Sequence, residues 1–380
     1  MPMPRIELTP MKAVVHGGPA ATALAEEAER LDARRVFIIA SGTLCRETDE
    51  VDKLTAALGN RSAGIFDRMR AHVPRSDVIA ATEVAREVGA DLIVTIGGGS
   101  PTDGAKAVAL CLANDIRDAK SIDQLCGDVE IAAPTVPQIS IPTTLSAGEF
   151  SAITGVTNEA SGTKDILRHT SLMPHVVILD AKVARHTPEW LLLSTGVRAI
   201  DHCVEGICSQ DANPFGDAQA LHGLRLLAGG LRRVKANAAD QQARQDCLLG
   251  AWLSMGPLTS GVPMGASHGI GYVLGAKYGV PHGHTSCLIL PAVMKWNISV
   301  NEGRQALVAE ALGDVAAPAA DLLHSLIEGL GQPRGLFANG ISRDAFPEIA
   351  EAALHTLWVP KNPRPINGAE DVLQILELAA

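Results

Sequence analysis

Short apolar runs rich in Val and Ile alternate with stretches of helical period through the first half of the chain, and then the alternation stops. The runs at 12–16, 35–40 (RVFIIA), 91–96 (DLIVTI), 138–141 and 176–179 (VVIL) predict strands. The segments 20–31, 51–58, 76–88 and 100–112 between them carry the spacing of amphipathic helices. Strands that are apolar on both sides need cover on both sides, which is the arrangement of a parallel sheet between helical layers. Beyond Asp180 the strand signal fades, and 188–193, 197–208, 214–234, 242–255 and 268–275 all read helical. The pattern predicts an α/β domain with a parallel sheet over residues 1–183 and an all-helical domain over residues 184–380.

Composition narrows the function classes. A chain of 380 residues suits two domains, and 47% hydrophobic residues are enough to build their cores. The formal charge is −10, opposite in sign to a broad nucleic-acid surface, and aromatics at 3% leave few stacking platforms. No apolar run approaches the roughly 20 residues of a membrane span. Residues 1–9 read Pro-rich and then extended, without the charged-then-apolar character of a leader. Seven cysteines, odd in number and with no C-x-x-C pair, fit reduced thiols. The expectation is a cytoplasmic enzyme acting on a small molecule, with neither nucleic acid nor membrane as partner.

The strand at 91–96 runs into Gly97, Gly98, Gly99 and Ser100, and a helix follows. Glycines there let a diphosphate approach the backbone, and a helix N-terminus offers N–H groups and a positive dipole end. Ser100, Pro101 and Asp103 also have a structural reading, as N-cap, first-turn proline and the acidic residue of a capping box. A capping box has no use for Lys106, which shares a helix face with Asp103. The strand at 35–40 ends Ala-Ser41-Gly without the carboxylate that would bind a ribose 2′-OH and repel a 2′-phosphate, and Arg46 follows one turn later.

The string GGGSPTDGAK (97–106) resembles the nucleotide signature of the iron-containing (group III) alcohol dehydrogenases, and the resemblance extends over nearly the whole chain. AGIFDRMRAHVP (63–74), IPTTLSAGE (141–149) and NPRP (362–365) are similar to segments of that family's maleylacetate reductase branch. The resemblance implies a dehydroquinate synthase-like fold that binds NAD(H) or NADP(H). It implies cofactor contacts from Ser41, Gly97, Gly98, Gly99, Ser100, Asp103 and Lys106, with Thr143 and Thr144 on the nicotinamide side. It also implies a homodimer.

Three histidines fall into the family's metal-ligand frame: His202 in GVRAIDHCVEG, His268 in GASHGIGYVLG and His282 in GVPHGHTSCLILP. Neutral imidazoles suit Fe(II) or Zn(II); the alternative is three polar residues lining a cleft. The chain departs from that frame twice. Arg198 stands four residues before His202, where metal-using members carry Asp, and Tyr272 stands where a further His is common. Asp201 lies about 100° around the helix from His202 and is a poor substitute ligand. A guanidinium beside a divalent cation is unfavourable. Arg198 could instead polarise a carbonyl oxygen or clamp a carboxylate, or it could pair with Glu205 or Asp201.

The candidate catalytic set is Arg198, His202, His268, Tyr272 and His282. The function implied is reduction of maleylacetate to 3-oxoadipate by NAD(P)H, as in aromatic degradation, with the substrate held in the interdomain cleft. The alternative is an iron- or zinc-dependent alcohol dehydrogenase (aldehyde reductase) for a small substrate. A third reading is a non-catalytic dinucleotide-binding protein.

Overall fold

The computed structural model describes residues 6, 8–127 and 129–380, so most of the N-terminal reading over 1–9 lies outside the described residues. The chain divides into two compact units, with the division after Thr187.

The first unit carries, in order, β1 (Ala13–His16), α1 (Ala20–Arg30), β2 (Val36–Ala40), α2 (Gly42–Glu47), α3 (Glu50–Leu58) and β3 (Ser62–Phe66). It continues through α4 (Arg75–Glu87), β4 (Leu92–Gly97), α5 (Gly99–Ala113), β5 (Gln138–Pro142), β6 (Ile153–Asn158), β7 (Thr163–Arg168), β8 (Val176–Leu179) and α6 (Ala181–Ala184). Six strands form one all-parallel sheet in the order β1-β8-β5-β4-β2-β3. Alternate residues feed two separate cores, as side chains that point to opposite faces must. Val36, Ile38, Leu92, Val94 and Ile96 pack with α1 and α3 on one face. Phe37, Ile39 and Ile93 pack with α4 and α5 on the other.

The strand order sets the position of the site. β2 and β4 are neighbours, but the chain leaves β2 toward β3 on one side and leaves β4 toward β5 on the other. Such a reversal opens a crevice at the C-terminal ends of the two strands, and nucleotides bind there in open α/β sheets. The glycine turn at 97–99 lies at that end.

The second unit is helical: α7 (Glu189–Cys208), α8 (Pro214–Ala236), α9 (Gln241–Ser254), α10 (Gly256–Thr259), α11 (Ala266–Tyr278), α12 (His282–Leu312), α13 (Ala319–Gly329), α14 (Phe346–Leu354) and α15 (Ala369–Leu378). The segments 188–193 and 197–208 are one continuous helix, α7, which crosses Ser194–Gly196 without a break. Two glycines let neighbouring helices of this unit approach closely. A Cβ on Gly283 of α12 would stand 2.6 Å from the Ser194 backbone of α7, and one on Gly271 of α11 would stand 2.9 Å from Thr285 Oγ1. A core of Ile270, Leu274, Leu288, Ile289, Phe346, Ile349 and Ile375 ties α11 and α12 to α14 and α15. All seven cysteines are free, and among the described residues no helix is long and apolar enough to cross a membrane.

Candidate active site

In the first unit the predicted nucleotide residues gather at the ends of β2, β4 and β5. Gly97 has φ +146°, and a Cβ there would lie 3.0 Å from both Pro101 Cγ and Ser41 Cβ, so only glycine fits. Ser41 N–H donates to Ile96 O at 2.8 Å, and Thr143 N–H donates to Gly97 O at 2.9 Å. A Cβ on Gly98 would meet Thr144 Cγ2 at 3.1 Å. Ser41, Gly97, Gly98, Thr143 and Thr144 are thus immediate neighbours.

The capping box that gave Ser100, Pro101 and Asp103 an alternative structural reading is not formed. α5 begins at Gly99 with Gly98 as N-cap, and no side chain bonds its first N–H groups. Ser100 lies inside the helix, so that turn keeps its donors for another acceptor. Asp103 and Lys106 stand deeper. Lys106 Nζ donates to Gly148 O (2.7 Å) and Ile153 O (3.0 Å) and lies 3.9 Å from Asp103 Oδ1. Those bonds fasten α5 to the segment after β5, and burial lowers the lysine pKa. Burial likewise raises Asp103, and it raises the neighbouring Glu149 to about 7.

In the second unit α7, α11 and α12 bring a polar cluster into an apolar setting. The rings of His202 and His268 lie 4.9 Å apart. Arg198 Cζ sits 5.8 Å from the Tyr272 ring, and Tyr272 makes an edge contact with His282 at 6.5 Å. Arg198, His202 and His268 are buried, whereas Tyr272 and His282 are exposed. Tyr272 Oη accepts from Trp358 Nε1 at 3.2 Å.

Two buried carboxylates, which the sequence did not mark as site residues, organise this cluster. Glu205 accepts the backbone N–H groups of Gly265 (2.9 Å) and Ser267 (2.8 Å), which caps α11 from another helix. It also lies 2.7 Å from His268 Nδ1. Asp201 Oδ2 accepts the hydroxyls of Ser267 (2.7 Å) and Ser286 (2.6 Å). Asp201 does turn away from the face of His202, but toward the serines of α11 and α12 rather than toward solvent. Burial raises the pKa of both carboxyls. Burial, and next the charge on Arg198, brings His268 down to about 3. Burial, then His268 and Arg198, holds His202 well below the usual range. Both imidazoles are therefore neutral, and His202 Nδ1 and His268 Nε2 have no hydrogen-bond partner.

Among the described residues one group could surround a metal ion: Asp201, Glu205 and His268, whose ligand atoms lie within 4.8 Å of one another. This is not the three-histidine set, since of the three only His268 belongs to it. The atoms of the group are already engaged with one another, with two serine hydroxyls and with backbone N–H groups. A permanent guanidinium charge stands 3.9 Å from Asp201. The unpartnered imidazole nitrogens could ligate a metal, but no uncommitted carboxylate oxygen other than Asp201 Oδ1 accompanies them. The carboxylates and neutral imidazoles are ligand types that suit a divalent cation, and the charge on Arg198 opposes one.

Comparison with known proteins agrees with this architecture. Residues 11–181 match the model of the iron-containing alcohol dehydrogenase family, and residues 192–380 match that of the C-terminal part of the Fe-containing alcohol dehydrogenase family. A dehydrogenase, FUM7, of Gibberella moniliformis is 32% identical over 97% of this chain and 96% of its own length. A maleylacetate reductase of Burkholderia cepacia is 31% identical over 96% of this chain and 94% of its own. The crystal structure of maleylacetate reductase from Agrobacterium tumefaciens superposes with a TM-score of 0.84 at 28% identity, covering 100% of this chain and 98% of that one.

Proposed function

Because the chain belongs to the iron-containing alcohol dehydrogenase family and is an NAD(P)-dependent oxidoreductase, we propose that it reduces a carbon–carbon double bond conjugated to a ketone, with maleylacetate as substrate and 3-oxoadipate as product. The observation that carries this reading is the neutral His202–His268 pair beside the fixed positive charge of Arg198. Hydride from the nicotinamide adds two electrons to the alkene, and negative charge develops on the conjugated oxygen. That charge needs a positive, water-poor setting in the protein. A proton then completes the saturated product. Tyr272 suits its return, since its hydroxyl accepts from Trp358 and keeps its own hydrogen to donate.

The second reading, a metal-dependent alcohol dehydrogenase for a small substrate, draws on the Asp201, Glu205 and His268 cluster. Asp201 Oδ1 and His268 Nε2 are free for it, whereas both oxygens of Glu205 are engaged with backbone N–H groups and His268 Nδ1. Oxidation of NADH and NADPH with maleylacetate and with short aldehydes tests the pair, beside elemental analysis of protein purified without chelators. Faster turnover of maleylacetate without stoichiometric metal supports the first reading. Aldehyde preference with one iron or zinc per chain overturns it.

A further inference from the structure

Two of the three buried arginines among the described residues make opposite use of their donors. Arg75 spends its fork fully: Nε and Nη2 on Asp165 (3.2 and 2.7 Å), Nη2 also on Asp123 (2.7 Å), and Nη1 on Ala119 O (3.0 Å). That is a structural arginine. The side chain of Arg198 is nine-tenths buried yet makes one hydrogen bond, from Nη1 to Ser286 Oγ at 3.1 Å. Its nearest carboxylate oxygen, Asp201 Oδ2 at 3.9 Å, is occupied by the hydroxyls of Ser267 and Ser286. Asp201 therefore holds the guanidinium through Ser286 and leaves most of its five N–H groups unspent. None of those unspent N–H groups is among the fully buried atoms without a partner, so they stay within reach of an anion from solvent.

We propose that Arg198 is an anion receptor that takes a carboxylate of the substrate in a two-point contact and so selects carboxylated enones over neutral carbonyl compounds. The inference rests on the reading of this unit as the substrate-binding part of a reductase. Beside Arg198, His202 Nδ1 is a buried polar atom without a partner, and in the tautomer that places its proton there it adds a second donor to a bound carboxylate. The Tyr272 ring flanks the guanidinium and leaves its plane as the recognition surface. Ser286 is the positioning residue that aims it.

The test uses maleate, a cis-enedioate without the ketone, and its neutral dimethyl ester as probes on the whole chain. Affinities are read by calorimetry for wild type, Arg198→Lys, Arg198→Met and Ser286→Ala, with NAD(P)H affinity and Tm as controls of folding. Wild type should bind maleate and not the diester. Arg198→Met should weaken maleate by about 10- to 100-fold with NAD(P)H affinity unchanged. Arg198→Lys should recover part of the loss, because it keeps the charge without the fork. Equal maleate affinity in wild type and Arg198→Met, diester binding as tight as maleate, or no maleate binding by wild type would overturn the receptor. The two readings can fail separately. A chain that binds maleate through Arg198 but does not turn over maleylacetate loses the proposed reaction and keeps the receptor. A chain that reduces maleylacetate with the same KM in Arg198→Met keeps the reaction and loses the receptor.

Discussion

His268 Nδ1 lies 2.7 Å from Glu205 Oε2, so a glutamate on α7 fixes the orientation of a histidine on α11 while also capping that helix. The carboxylate accepts two backbone N–H groups, and in its ionised form it can only accept, so beside ionised Glu205 the ring N–H is the donor in the third bond. The proton of the neutral imidazole then resides on Nδ1, and Nε2 presents its lone pair. Glu205→Gln places an amide N–H against that nitrogen and inverts the tautomer. We expect kcat/KM to fall about tenfold or more with NAD(P)H affinity unchanged, and stability to drop by about 1–3 kcal/mol. Unaltered turnover and an unaltered Tm would show that the pair orients nothing.

The phosphate turn gives a second expectation. A Cβ on Gly98 already presses on Thr144 at 3.1 Å, so a β-branched side chain must displace the threonine or protrude over the turn. Gly98→Val should lose NAD(P)H affinity by about tenfold or more while the fold is retained. Fluorescence titration of NADPH reads this directly. Cofactor affinity equal to wild type would place the nucleotide elsewhere.

These tests fall on residues that differ in how far the sequence exposed them. The buried strands were legible because VFIIA and LIVTIG are apolar on both faces, a pattern with few other uses. β3 was not, since SAGIF mixes Ser and Gly into a short run at the sheet edge. The β6–β7 hairpin was missed because TKDILR has mostly polar, exposed positions and lies outside the main sheet. Arg198, His202 and His268 were found through a family frame. Asp201 and Glu205 are legible only as possible partners of Arg198, because the groups they bind, Ser267, Ser286 and the start of α11, lie more than 60 residues along the chain. A buried acid one turn beyond His202 was the only signal, and burial is not legible from one sequence. The N-cap is Gly98, and the alternative reading of Ser100 as N-cap fails because the helix already begins at Gly99, a start that a run of three glycines does not mark.

Glu149 should make the stability of the first unit depend on pH. Burial raises its pKa from 4.5 to about 7. The folded form then holds a proton that the unfolded chain has released, and stability falls as pH rises through that window. The loss attributable to this group is about 3 kcal/mol, complete above pH 7. Glu149→Gln removes the ionisation, so its Tm should match wild type near pH 4.5 and exceed it increasingly toward pH 8. Parallel melting curves for the two proteins across that range would place the cost on another group.

Cofactor choice turns on the end of β2. Ala40, Ser41 and Gly42 themselves offer no carboxylate to a ribose 2′-OH, and the nearest acid, Asp67, comes from the segment after β3. Arg46 on α2 folds back over this tip, and its Nη1 lies 2.8 Å from where a Cβ on Gly42 would stand. Its guanidinium is exposed, so a phosphate contact there is screened and contributes on the order of 1–2 kcal/mol. Catalytic efficiencies with NADPH and NADH should therefore lie within about two orders of magnitude of each other. Arg46→Ala should move the ratio toward NADH by about tenfold, through KM for NADPH alone and with kcat unchanged. Arg46→Glu should move it further by repelling the phosphate. If NADH is preferred by more than a hundredfold in wild type, or Arg46→Ala leaves the ratio unmoved, another group reads the ribose.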